Sequence, residues 1–258
     1  METSDKITFR KLRRFNGIMG VFHLLQSGLM FWLSDFDRTW SITAVHLEFN
    51  EVTETLYPVT KTWGELPLAP LVALFLLISA IAHFTLATVG YEWYVSKLKK
   101  HMNPARWYEY SVSASIMIII IAMLTGIHDI GVLVALFALT GVMNLCGLLM
   151  EVHNQTTNHT NWLSYLVGCI AGIVPWIVIG IAFFGAFVAS NGEMPDFVVA
   201  IYITLAVFFN LFAINMALQY KKVGKWKDYL YGERMYIVLS LVAKSALAWQ
   251  VFFGTLQP

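Results

Sequence analysis

Apolar residues run along this chain in long blocks broken by charges, glycines and prolines, unlike the short alternations of a soluble domain. The blocks predict helices near residues 12–33, 68–89, 105–125, 129–150, 162–190, 195–220 and 234–256. Each reaches the roughly 20 residues that a helix needs to cross about 30 Å of hydrocarbon. The expected fold is therefore an all-α membrane protein, a single domain of seven transmembrane helices over residues 1–258. The fifth block is long and contains Pro175. A kink or an extension beyond the bilayer is expected there, because each half is too short to cross alone. Between the first two spans lies residues 34–67, with the run SITAVHLEFNEVTETLYPVT. Its alternating and β-branched residues around Asn50-Glu51 predict a two-stranded hairpin, an external cap that shields helix ends or joins a subunit interface.

Composition strengthens the membrane reading. Of 258 residues, 58% are hydrophobic and 13% charged, against roughly half apolar in soluble domains. The first span follows a charged lead, residues 1–14, and carries Asn16, His23 and Gln26 with no A-x-A-like cleavage site. It is expected to be a permanent helix and not a removed signal.

Charge then orients the chain, because Lys and Arg in short loops stay on the cytoplasmic side. The lead holds Lys6, Arg10, Lys11, Arg13 and Arg14; the second connection holds Lys97, Lys99, Lys100 and Arg106; the sixth holds Lys221, Lys222, Lys225, Lys227 and Arg234. Against these, only Arg38 and Lys61 fall on the opposite side, with Asp35, Asp37, Glu48, Glu51, Glu54, Glu65, Asp129, Glu193 and Asp196. The N-terminus is expected in the cytoplasm and the C-terminus outside, the reverse of seven-helix pumps and hormone receptors. The partner implied is membrane lipid; the net charge of +1 gives no reason to expect nucleic acid. The sequons at Asn154 and Asn158 fall in an inside loop and read as chance matches. Cys146 and Cys169, both within spans, read as small buried hydrophobes, with no disulfide or metal site.

Lys244 sits about eleven residues into the last span, in LSLVAKSALAW, near the bilayer centre and too deep to snorkel out. A buried ammonium costs a few kcal/mol at least and marks a function or a partner. Glu109, in the run RWYEYSVS, is the one carboxylate read as lying inside the spans. Two readings follow: an ion pair that locks two helices, or an amine that condenses with an aldehyde beside its counterion. Helical spacing puts Arg106, Glu109 and Ser113 on one face. Ser113 and Ser240, one turn from Glu109 and Lys244, are placed either to hydrogen-bond that pair or to satisfy their own helix backbone.

An Arg-x-x-acid run opening the third helix, with a lysine midway along the seventh, resembles the microbial-type rhodopsins. The inside N-terminus, the strand-bearing first loop, RWYEYS, SLVAKS, His23 and His83 narrow the resemblance to the heliorhodopsins, over essentially the whole chain. That resemblance implies all-trans-retinal on Lys244 as a Schiff base, isomerising to 13-cis, with Glu109 as counterion. It implies a polar cytoplasmic-side pocket of His23 and His83 that accepts the released proton, with Gln26, Asn103, Arg106 and Trp107 beside it. Tyr110, Met143, Trp176 and Phe209 are expected as walls of the retinal slot; each also reads as ordinary helix packing. A homodimer through the fourth and fifth helices is implied too, and Gly168-x-x-x-Gly172 permits close approach there or within the bundle.

A proton pump needs relay groups on both sides of the Schiff base. Here Ser240 stands one turn before Lys244, and the outer half of the third helix reads IMIIIIAML. Photoisomerisation with a local proton shift, no net transport, and a signal to a separate partner protein are therefore expected, with no enzymatic activity. A transporter or channel gated by the Lys244–Glu109 pair, a light-driven ion pump and a passive scaffold are the other classes.

Overall fold

The computed structural model describes residues 2–256, with side chains from residue 8; the Lys6 side chain and Pro258 lie outside the described residues. Among the described residues there are eight α-helices and one β-hairpin: α1 (Glu2–Leu33), β1 (Thr39–Asn50), β2 (Thr55–Pro67), α2 (Leu68–Ala87), α3 (Tyr91–Leu98), α4 (Pro104–Leu124), α5 (Ile130–His153), α6 (Leu163–Ala189), α7 (Asp196–Tyr220) and α8 (Tyr229–Val251). A π-helical turn, Phe252–Leu256, extends α8. Six of the helices, α2 and α4 to α8, are long and apolar enough to cross a membrane. The expected spans are all helical. The short α3 is an addition to them, lying in the basic second connection. α6 runs unbroken through Pro175; a helix packed among others in a membrane tolerates the one hydrogen bond that proline removes.

α1 differs from the six in composition. It turns Asn16, His23, Ser27 and Met30 inward against α2 and leaves Ile18, Phe22, Leu25, Phe31 and Trp32 half or more exposed. Polar groups inside and large apolar groups outside invert the pattern of a water-facing helix.

Local chemistry sets the helix ends. Asn103 accepts from the Arg106 amide and Pro104 opens α4; Asp129 accepts from the Val132 amide; Asp228 accepts from the Leu230 amide. Each is a side-chain oxygen satisfying a free first-turn N–H. The hairpin pairs β1 and β2 antiparallel from Thr39↔Pro67 to Asn50↔Thr55, with a bulge after Ile42. Asn50 Oδ1 accepts from the amides of Val52 and Thr53, closing the turn. The Lys61 ammonium, 2.8 Å from Glu48, holds that exposed carboxyl below its usual range, with His46 adding to the effect. At its base the hairpin is tied to the bundle: Thr43 N donates to His128 O, and the His128 ring bonds Ser41 O.

The main core lies at this hairpin end. It is built from Phe75, Leu76, Ile116, Ile118, Ile120, Ile121, Leu247 and Val251, all buried. The other end of the bundle combines two smaller apolar clusters, around Leu86 and Ile237 and around Trp107 and Tyr236, with buried polar groups, and Lys244 lies between the two ends.

Candidate functional site

Lys244 from α8, Ser79 from α2 and Glu109 from α4 meet in a closed triangle. Lys244 Nζ donates to Glu109 Oε1 and to Ser79 Oγ, each at 2.6 Å, and Ser79 donates to the same carboxylate oxygen at 2.7 Å. The lysine and serine are buried, and the Glu109 side chain is 8% exposed. Such a pair survives burial only when its polar atoms are satisfied, and Ser79 completes it. Tyr110 presents its ring to Lys244 Nζ at 5.1 Å and donates its hydroxyl to Tyr236 O at 3.0 Å. Ser113 and Ser240 are also buried nearby, but their hydroxyls form no hydrogen bond of normal geometry with the pair. Ser79, which carries no mark in the sequence beyond a hydroxyl in an apolar helix, bonds both members of the pair, and Ser113 faces Glu109 beside it.

Two neighbouring cavities lie on one side of the triangle, and the first reaches Lys244. The first, about 390 Å³, is lined by Lys244, Ser240, Tyr110, Met143 and Phe209, among others. The second, about 1090 Å³, continues past Met143 and Phe209 between α5, α6 and α7 to Trp176. Phe209 meets Trp176 edge-on, with ring centroids at 5.3 Å. Of the four wall residues named from the sequence, Tyr110, Met143 and Phe209 line the cavity that ends on the lysine, and Trp176 lines the neighbouring one, which shares Met143 and Phe209 with it. Glycine keeps the slot open, since a β-carbon at Gly172 would collide with Met143. Gly168 faces Cys146 and the Met143 carbonyl in the same way. The Gly168–Gly172 face is therefore used inside the bundle, for packing of α6 on α5. Both cysteines are free, and Cys169 is exposed on α6, contrary to its reading as buried, because it shares the outward face with Ile170 and Ile173.

On the other side of the triangle the surroundings turn polar. A chamber of about 370 Å³ is lined by Glu109, Ser79, His83, Asn16, Asn103, Arg106 and Glu233. His83 Nδ1 bonds Asn16 Oδ1 at 2.8 Å and stacks on the buried His23 ring at 5.5 Å. Gln26 does not join this group: it accepts from Trp249 Nε1 at 3.2 Å, nearer the hairpin end. Trp107 also departs from expectation. It lines the apolar slot, its ring packed where a Gly147 β-carbon would stand. Gly147→Ala is accordingly expected to cost about 1–3 kcal/mol by overpacking, visible as a lowered unfolding temperature; an unchanged temperature would contradict this packing.

One wall of the chamber belongs to a cluster the sequence did not reveal. Arg106 forms ion pairs with Glu151 at the end of α5 and Glu233 at the start of α8, all three buried. Asn103 donates its backbone N–H to Glu151 at 2.7 Å and its side chain to Glu233 at 2.6 Å. Tyr94 of α3 donates to Glu233 at 2.9 Å; burial pushes its phenol pKa up, so the proton stays available to donate. The Arg106 guanidinium lies 3.8 Å from the Tyr236 ring centroid. Glu109 is therefore not the sole interior carboxylate. α5 extends to His153 and α8 begins at Tyr229, which carries both glutamates into the bundle.

A family model for the heliorhodopsins matches residues 12–256. The chain belongs to the heliorhodopsin family. Among curated proteins, none matches it. Membership makes the chain an integral membrane protein and a light receptor of the microbial-rhodopsin type, a family that implies a retinal chromophore. The residues present suit that group. In this heliorhodopsin an apolar, aromatic-walled slot ends on one buried primary amine, which matches a long polyene bearing a single aldehyde. Lys244 would hold the aldehyde carbon, and Tyr110, Met143, Trp176 and Phe209 would flank the chain of the ligand.

Proposed function

We propose that the chain is a light-sensing receptor in which Lys244 carries all-trans-retinal as a Schiff base with Glu109 as its counterion, signalling to a partner without pumping ions. What retinal supplies when bound is photon absorption and isomerisation to 13-cis. The observation that carries the reading is the Lys244–Ser79–Glu109 triangle, set between an apolar slot on one side and a polar chamber on the other.

Glu109 neutralises the positive charge at the Lys244 nitrogen, an interaction strengthened by the low dielectric around it. Ser79 fixes the carboxylate's direction. A proton leaving that nitrogen meets acceptors only on the chamber side, at Glu109 and then at His83 and His23. Toward the hairpin, α4 offers the apolar run Ile116–Met123, buried except at the partly exposed Ile119, and no titratable group. The proton is held locally, and the stored energy goes into a change of shape.

α1 serves as the seventh span in this reading, supported by its inward polar and outward apolar faces. The basic residues of the lead and of the connections after α2 and α7 support a cytoplasmic location for that end of the bundle in this reading. A homodimer in the cell membrane is the expected assembly.

Illumination of proteoliposomes containing the retinal-loaded chain is expected to produce no protonophore-sensitive pH change, while flash spectroscopy reports deprotonation and reprotonation of the chromophore. A sustained pH gradient that collapses with protonophore would overturn the reading.

A further inference from the structure

A separate cavity of about 940 Å³ opens at the basic end of the bundle, between the connections that follow α3, α5 and α7. Lys100, Lys222 and Lys227 line it, and no aspartate or glutamate does. Among the described residues none of the three lysines forms a salt bridge. All three are exposed, so water and salt screen their mutual repulsion, and what they offer an anion is a locally positive potential on one rim.

The walls are built rather than loose. Asn154, the first sequon residue, organises the loop after α5: its amide donates to Met150 O and Asn161 O, and its oxygen accepts from Asn161 N at 2.7 Å. Asn158, the second, lines the cavity. Opposite, Trp226 Nε1 donates to Asn215 Oδ1 at 2.7 Å and fixes the turn before α8. Two lining residues also hold left-handed backbone, His101 at φ 54° and Lys222 at φ 53°. Each stands just past a helix C-terminus, where glycine is the usual residue because it has no β-carbon. A histidine and a lysine kept at such positions, both on one cavity, mark strain retained at a site.

We propose that this cavity binds a small phosphate-bearing anion. Its cations are all lysines, compact point charges of the kind that bind phosphate oxygens without the fixed fork of an arginine. Such a phosphate comes either from a soluble anion or from a lipid headgroup.

The test uses the full chain in phosphatidylcholine nanodiscs, titrated calorimetrically with sodium pyrophosphate. Saturable binding is expected, weakened at least tenfold in Lys100→Gln/Lys222→Gln and unchanged in Lys97→Gln/Lys99→Gln, whose lysines lie at the same end outside the lining. In a second arm, nanodiscs doped with phosphatidic acid are analysed by native mass spectrometry. Lipid retained in this arm alone, and lost in Lys100→Gln/Lys222→Gln, assigns the phosphate to a headgroup. Lys222→Gly is expected to raise the unfolding temperature by a few degrees while weakening binding, because it removes both strain and charge. Absence of saturable binding in both arms, or equal loss in the Lys97/Lys99 control, overturns the proposal.

Discussion

Lys244→Ala combined with Glu109→Gln is expected to give a folded chain that stays colourless when mixed with all-trans-retinal, whereas the unaltered chain develops a visible band. The second substitution is needed because alanine alone strands a carboxylate beside Ser79, and an orphaned partner of a buried pair costs about 3–5 kcal/mol. Lys244→Arg provides the complementary case. It keeps a positive charge in contact with Glu109 but has no amine able to condense with an aldehyde, so colour is lost while the ion pair persists. Absorbance after retinal addition, read beside a thermal melt, separates the two effects. A visible band of normal intensity in Lys244→Arg would remove Lys244 as the attachment point.

The second large effect is expected at Arg106. Its guanidinium is shared between Glu151 and Glu233, each with a side chain at most 2% exposed. Arg106→Met leaves two carboxylates buried with only Asn103 and Tyr94 as donors, a loss of about 3–5 kcal/mol. The triple variant Arg106→Met, Glu151→Gln and Glu233→Gln is expected to recover most of that stability, because no uncompensated charge remains. Thermal unfolding in detergent measures both. A single variant that melts with the unaltered chain would mean that water reaches the cluster and the pairs carry little.

Lys244 and Glu109 were legible because an ionisable residue deep in an apolar span is costly and therefore rare; position alone singles it out. Ser79 was not legible, since a serine in an apolar helix ordinarily returns its hydroxyl to the backbone. Ser79 does contact Phe75 O at 3.1 Å as well as joining the pair. Glu151 and Glu233 were hidden by their places at helix ends next to polar connections, where a glutamate normally faces water. One available signal was Arg106 itself: a guanidinium drawn into the bundle requires carboxylates, and Glu109 was already taken by Lys244.

The order and character of the long helices, the hairpin and the lysine–glutamate pair follow from the sequence alone, because burial in lipid imposes a length and an apolarity that the chain shows directly, whereas the short α3 carries no such signal. The hydropathy of α1 alone falls short, and only its packing shows a polar inner face against α2. Packing also decides which serine completes the pair, that Gly168 and Gly172 turn inward, and that three lysines converge on one cavity. These depend on side chains from helices distant in sequence meeting across the bundle, a relation that no local pattern records. Lys244 is a conspicuous residue in the sequence; its setting, between an apolar slot and a polar chamber, exists only in the fold.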